Sequence, residues 1–295
     1  MTIQAGGHGL WPESAPYALC LTHDVDRVRK HVYHYLHYAL RSGRNGVVRQ
    51  AHSLAQRLRG EEPYWNFQRI MDLEDSLGVR STFLFLNERA RGFGPKYWGR
   101  YDIHDSKVKE SIRTLDAGGW EIGLHGSYHS YNDIELLRAE KQTLEEILGK
   151  PIRSVRQHYL NLLQPRTWEI QLEIGLEVDS TFGYTDRLWD EKDGILPYYT
   201  DNPGMLELPI TAMDTIGLGR PEIRREAEAT LGRIAAEGGL IVLDWHQRTY
   251  SPGEWEEAVA LYVSTIERAC SERAWIATMG QISQHWRKCQ APLVS

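Results

Sequence analysis

Ala18-Leu19-Cys20-Leu21-Thr22-His23-Asp24-Val25-Asp26 is the stretch on which the reading of this 295-residue chain turns. A short apolar run of strand length leads directly into two carboxylates two positions apart. Two such groups are costly to hold together unless a cation or a proton relieves their repulsion. Outward from this stretch the same pattern recurs. Further strand-like runs cover Arg80–Leu86, Glu121–Leu124, Ser154–Gln157, Val178–Thr181, Leu206–Ile210, Leu240–Asp244 and Trp275–Ala277. Between them lie amphipathic helical patterns at Asp105–Ala117, Asp133–Leu148, Arg166–Ile174, Glu222–Ala236 and Glu254–Ala269.

The punctuation agrees with that division. Gly118-Gly119 and Gly238-Gly239 stand where helices stop, and Pro221 stands in a first helical turn. Strand and helix in alternation argue for a parallel sheet with helices outside it. Seven or eight such units in one domain, 1–295, suggest a barrel, whose chemistry gathers at the C-terminal strand ends. The segment from about 27 to 67 breaks the rhythm and reads as an inserted helical hairpin turning near Ser42–Gly46.

Residues able to do chemistry fall at those strand ends. After the third strand comes His125-Gly126-Ser127-Tyr128-His129, whose two histidines could face one ion if the segment turns helically. The fourth strand leads into Arg156-Gln157-His158-Tyr159, and a late one into Asp244-Trp245-His246. Two histidines and a carboxylate with open positions suit a hydrolytic divalent ion, which acidifies water and polarises a carbonyl. A second carboxylate can take the proton of that water, and a histidine opposite can protonate a departing amine. Asp24, Asp26, His125, His129 and His246 supply these parts.

In these motifs, from about Tyr17 to Met279, the chain resembles the polysaccharide deacetylase family, the NodB homology domain of carbohydrate esterase family four. Thr22-His23-Asp24-Val25-Asp26 is similar to a variant of the family's first motif, and His125 to His129 to its second. The resemblance implies a distorted (β/α)7 barrel with a helical insertion after the first strand. It implies Asp24 as catalytic base, Asp26, His125 and His129 as metal ligands, Arg156 as the holder of the base, and His246 as general acid. The one-residue gap between the carboxylates leaves open which is base and which is ligand. Tyr159, His158, Asp179 (in a groove-wall motif over Val178–Tyr184) and Trp245 are expected at the substrate. His158 replaces a family proline, and His23 an aromatic residue. The implied cofactor is a divalent metal ion, zinc foremost, with cobalt, nickel, iron or manganese as alternatives. The implied substrate is an N-acetylated sugar, free or carried on a nucleotide or lipid.

Composition excludes other classes. The formal charge of −6, with both signs interspersed, offers no nucleic-acid surface, although Arg41–Arg59 forms a basic stretch that an anionic substrate or membrane surface could use. Three scattered cysteines make neither a disulfide framework nor a thiolate zinc site. No apolar run nears the roughly 20 residues of a membrane span. No secretory signal is visible, so a cytoplasmic location is expected. His31, His34 and His37 at helical spacing read as a packed helix face, or else as a second site. Two rival readings stand beside the deacetylase: a hydrolase of a non-sugar C–N bond on the same scaffold, and a catalytically silent carbohydrate-binding relative.

Overall fold

The computed structural model describes residues 9–41, 43–88, 99–189, 193–200, 204–216, 220–252 and 254–290. The strands are β1 (Ala18–Val25), β2 (Thr82–Leu86), β3 (Glu121–Gly126), β4 (Ser154–Gln157), β5 (Val178–Asp179), β6 (Tyr198–Tyr199), β7 (Leu206–Glu207), β8 (Ala212–Met213), β9 (Leu240–Asp244) and β10 (Trp275–Ala277). The helices are α1 (Val32–Arg41), α2 (Gly43–Leu58), α3 (Phe67–Leu77), α4 (Ser106–Ala117), α5 (Ile134–Leu148), α6 (Arg166–Glu173), α7 (Pro221–Ala236), α8 (Glu256–Ser271) and α9 (Met279–Gln290).

Among the described residues the strands make one sheet in the order β6-β7-β5-β4-β3-β2-β1-β9-β8, with β10 also on β1. All pairings are parallel except that of the short strand β6 with β7. The sequence suggests one strand over Leu206–Ile210; instead an extended run carries two short pairings. At its start β7 pairs with β5, and the amide of Leu208 donates to the Asp179 carbonyl at 2.8 Å. At its end Thr211 donates to the Val242 carbonyl at 2.9 Å and β8 pairs with β9. This run joins the two ends of the curled sheet, giving the seven-stranded distorted barrel: β1, β2, β3, β4, β5, the 206–213 run and β9.

The central strand β1 is buried along its whole length, which fits its unbroken apolar start. Helices cover the sheet: Ile112 and Leu115 of α4, Leu137 and Leu144 of α5, and Leu261 and Ile266 of α8 belong to the main core. Asp105 caps α4, its carboxylate accepting from the Lys107 amide at 2.9 Å. The insertion is a helical hairpin, α1 followed by α2. Two helices, α3 and α9, lie outside the helical runs legible in sequence. Gly126 ends β3 against the buried side chain of Gln157, where a Cβ would sit 2.2 Å from Gln157 Oε1 and displace that amide.

Candidate active site

Strand alternation assembles the site. Side chains two apart share a face, so Thr22, Asp24 and Asp26 point one way from β1, Arg156 and His158 from β4, and Asp244 and His246 from β9. The residues between them point into the helix layer. His23 places Nε2 2.7 Å from Glu74 Oε1 on α3 and Nδ1 2.8 Å from the Trp245 carbonyl. Trp245 donates Nε1–H to the Ala258 carbonyl of α8 at 2.9 Å.

Asp26, His125 and His158 form one buried group able to hold a metal ion. His125 Nε2 and His158 Nε2 lie 3.3 and 3.4 Å from Asp26 Oδ1. Tetrahedral coordination with bonds of about 2.0–2.1 Å puts neighbouring ligand atoms about 3.3–3.4 Å apart, so the spacing suits a small divalent ion. His125 donates Nδ1–H to the Arg156 carbonyl at 3.0 Å, leaving Nε2 to face the carboxylates. Among the described residues, Asp26 Oδ1 accepts no hydrogen bond. Burial pushes His158 down to about 3, so it is neutral, with a lone pair to offer. Burial also pulls His125 down, but Asp24 and Asp26 outweigh it and hold its proton affinity above normal. Metal and proton therefore compete for the same nitrogen. Burial drives the Asp26 carboxyl up; His158, His125 and Arg100 overcome this and keep it well below the ordinary carboxylate range. Arg100 donates to His158 Nε2 at 3.0 Å and pairs with Glu88 at 3.0 Å, so its guanidinium has to move off that lone pair for His158 to bind an ion.

Asp24 lies beside this group, its Oδ2 3.5 Å from His125 Nε2. Arg156 is fully buried. Its Nη1 donates to Asp24 Oδ1 at 2.9 Å and to Thr22 Oγ1 at 2.8 Å, Nε donates to the Ser180 carbonyl at 2.7 Å, and Nη2 donates to Ser180 Oγ at 2.8 Å. Asp244 also faces Nη1, at 3.2 Å. Asp24, Asp244 and His246 form a second carboxylate–histidine group, and the Arg156 guanidinium supplies the positive charge there. Burial raises both carboxyls; opposing charge from His125 and Arg156 brings Asp24 below its usual value, whereas Asp244 stays up at about 6, burial and Asp24 both raising it.

His246 is anchored by Asp214, which accepts its Nδ1–H and its backbone N–H, each at 2.8 Å, and the Thr249 hydroxyl as well. Burial and Arg248 lower its proton affinity, but Asp214 and Asp244 more than reverse this and lift it to about 9. Its Nε2 faces Asp26 Oδ2 at 3.8 Å, and Arg248 donates to that same oxygen at 3.1 Å.

Three expected site residues, His129, Trp245 and Asp179, stand elsewhere. His129 is exposed at the start of a short 3-10 helix, outside the ligand group, because His125 still belongs to β3 and no helical turn joins the two; His158 stands where it was expected. Trp245 is fully buried against α8 and cannot touch substrate. Asp179 is likewise fully buried, turned to α6, where it accepts from Trp168 Nε1 at 3.1 Å and shares a site with Glu207. His34 and His37 stack with tyrosines of α1, His31 meets His34 edge to face, and none of the three joins a ligand group among the described residues. Tyr159 is half exposed beside His158, ring centroids 4.3 Å apart, on backbone with φ 59°. Such left-handed backbone costs a non-glycine residue about 1 kcal/mol or more and marks a constrained turn.

Sequence reading overlooked Asp214, Asp244, Arg100, Glu88 and Arg248. Only Asp244 carried a signal, since it precedes His246 by the two positions that keep strand residues on one face.

No protein-family model and no curated protein matches the chain. Solved structures do. One described as a polysaccharide deacetylase from Mycobacterium smegmatis aligns with a TM-score of 0.65 at 22% identity, over 95% of this chain and 93% of that one. Puue allantoinase aligns at 0.65 and 18% identity, covering 97% and 95%. One described as a polysaccharide deacetylase from Pseudomonas aeruginosa PAO1 aligns at 0.64 and 18%, covering 97% and 95%. Together with the seven-stranded curled sheet, these likenesses establish that the chain has the NodB-type fold of the polysaccharide deacetylases.

Proposed function

We propose that the protein is a metal-dependent hydrolase that removes an N-acetyl or related acyl group from a sugar. The observation that carries this reading is the convergence, at the C-terminal strand ends, of the Asp26–His125–His158 group, the Asp24–Arg156 pair and the His246–Asp214 pair. A divalent ion held by Asp26, His125 and His158, zinc being the first candidate, would acidify water and polarise the acyl carbonyl. Asp24, kept ionised by His125 and Arg156, accepts the proton of the attacking water. His246, protonated at neutral pH, holds its other proton on Nδ1 against Asp214 and presents Nε2–H to the leaving nitrogen. The exposed ring of Tyr159 and that of Tyr128, 5.6 Å apart edge to face, offer a wall for a sugar ring. A nucleotide- or lipid-linked precursor of a surface polysaccharide is the substrate we favour.

The burial of Asp24 and Asp26, with Arg100 and Arg248 against Asp26, favours one second reading: hydrolysis of a C–N bond in a compact non-sugar amide or cyclic ureide. A panel of N-acetyl sugars, their nucleotide-linked forms and small ureides, assayed with zinc or cobalt, separates the two. Acetate release that disappears in Asp24→Asn while the ion stays bound supports the first. Ring opening of a ureide without acetate release supports the second. A fully active Asp24→Asn protein contradicts both.

A further inference from the structure

The inserted hairpin is built inside out. Along α1, Val32, Leu36 and Leu40 recur every fourth residue and are 70%, 61% and 75% exposed. Along α2, Val47, Leu54 and Leu58 share one face with Val48 beside them, and Leu58 is 81% exposed. The faces turned inward are polar. His34 is buried against Tyr64 and Tyr38, and Gln50, Ser53 and Gln56 are buried on α2. Lys30 Nζ binds Ser53 Oγ and Glu254, Arg57 donates to the Lys30 carbonyl at 2.6 Å, and Arg49 reaches the Glu254 carbonyl. The hairpin is therefore rooted by polar contacts and turns its apolar stripe away from the body of the protein. A soluble surface helix does the reverse.

Charge follows the same segment. Residues 27–60 hold eight of the lysines and arginines (Arg27, Arg29, Lys30, Arg41, Arg44, Arg49, Arg57, Arg59) and no aspartate or glutamate. The chain carries −6 in all, so these residues contribute +8 and the remainder −14. A second copy docked hairpin to hairpin would set like charge against like with no carboxylate of either segment to offset it. An anionic bilayer matches both features at once, with acyl chains for the leucines and headgroup phosphates for the arginines.

We propose that α1 and α2 form a docking surface for an anionic lipid bilayer, lying in its interface with Leu36, Leu40, Leu54 and Leu58 inserted. The proposal stands on the hairpin alone and does not depend on the reaction catalysed. Co-sedimentation of the full chain tests it, using vesicles of phosphatidylcholine alone or with about 30% phosphatidylglycerol. The expected result is binding to the anionic vesicles that weakens at least severalfold between 0.05 and 0.5 M salt, by about the screening of exposed charge. Leu40→Asp/Leu58→Asp should reduce that binding about tenfold or more while its melting curve and metal content stay those of the parent protein. Equal binding to both vesicle types overturns the proposal. So does an absence of vesicle binding, whether the protein is monomeric or forms a concentration-dependent dimer that the double variant abolishes; the dimer would assign the stripe to a second copy.

Discussion

Asp214→Asn isolates the electrostatic work behind His246. In the parent protein His246 titrates at about 9, against 6.5 for a free imidazole, despite burial and Arg248 acting downward. Asp214 is the largest upward influence, touching both Nδ1 and the backbone amide. Removing its charge should cost about two units, or about 3 kcal/mol, and return His246 to near 7. At pH 8 the protonated fraction then falls from roughly nine-tenths to roughly one-tenth. A proton-donating His246 predicts a matching tenfold loss of kcat/KM at pH 8 and little loss at pH 6. NMR titration of the His246 ring, with zinc bound and after chelation, measures the shift without needing a substrate. Stability should follow the same linkage. A raised histidine contributes stability below its unfolded value near 6.5 and loses it as pH rises through about 9, so the gap between parent and variant should be widest in acid and narrow in alkali to a pH-independent remainder. The amide also faces two donors, the His246 N–H and the Thr249 hydroxyl, which adds about 1–3 kcal/mol of destabilisation at every pH. A titration midpoint within half a unit of the parent's would refute the reasoning.

Other perturbations read other parts of the site. Arg156→Lys keeps a cation but loses the fork that binds Ser180 while facing Asp24 and Asp244, and should lower unfolding free energy by about 1–3 kcal/mol through the unpaired Ser180 acceptors; a urea midpoint within experimental error of the parent's would show that the fork's bonds to Ser180 carry no stability. Asp179 is lifted to about 6 by burial, next to Glu207, which burial and Asp179 raise further. Because the folded value exceeds the unfolded one, stability is full below about pH 4 on this account and declines as pH rises through about 6. Asp179→Asn should flatten that decline in Tm between pH 4 and 8, and an unchanged slope would assign the pH dependence to another group.

Much of the frame was legible because β1, β2 and β9 are built on apolar runs with little else to become, and because glycines mark the helix ends. What escaped has physical causes. The 206–213 run pairs through only two residues at each end, too few for a periodicity to register, although it joins the sheet. At the site, the strand-end histidines and carboxylates were visible, but the His125–His129 spacing suggested a helical turn where the chain is still strand. The two-residue rule that groups Asp24 with Asp26 also groups Arg156 with His158 and Asp244 with His246, and it turns Trp245 away. Asp214, Arg248 and Arg100 reach the site from loops and short turns, where sequence carries no period to read.

The metal group proposed here is Asp26, His125 and His158. Zinc content and affinity measured on His158→Ala and His129→Ala, side by side with the parent protein, are its sharpest test. One ion per chain is expected in the parent and in His129→Ala, with an affinity at least about a hundredfold weaker in His158→Ala. Retention of the ion in His158→Ala with its loss in His129→Ala would contradict it.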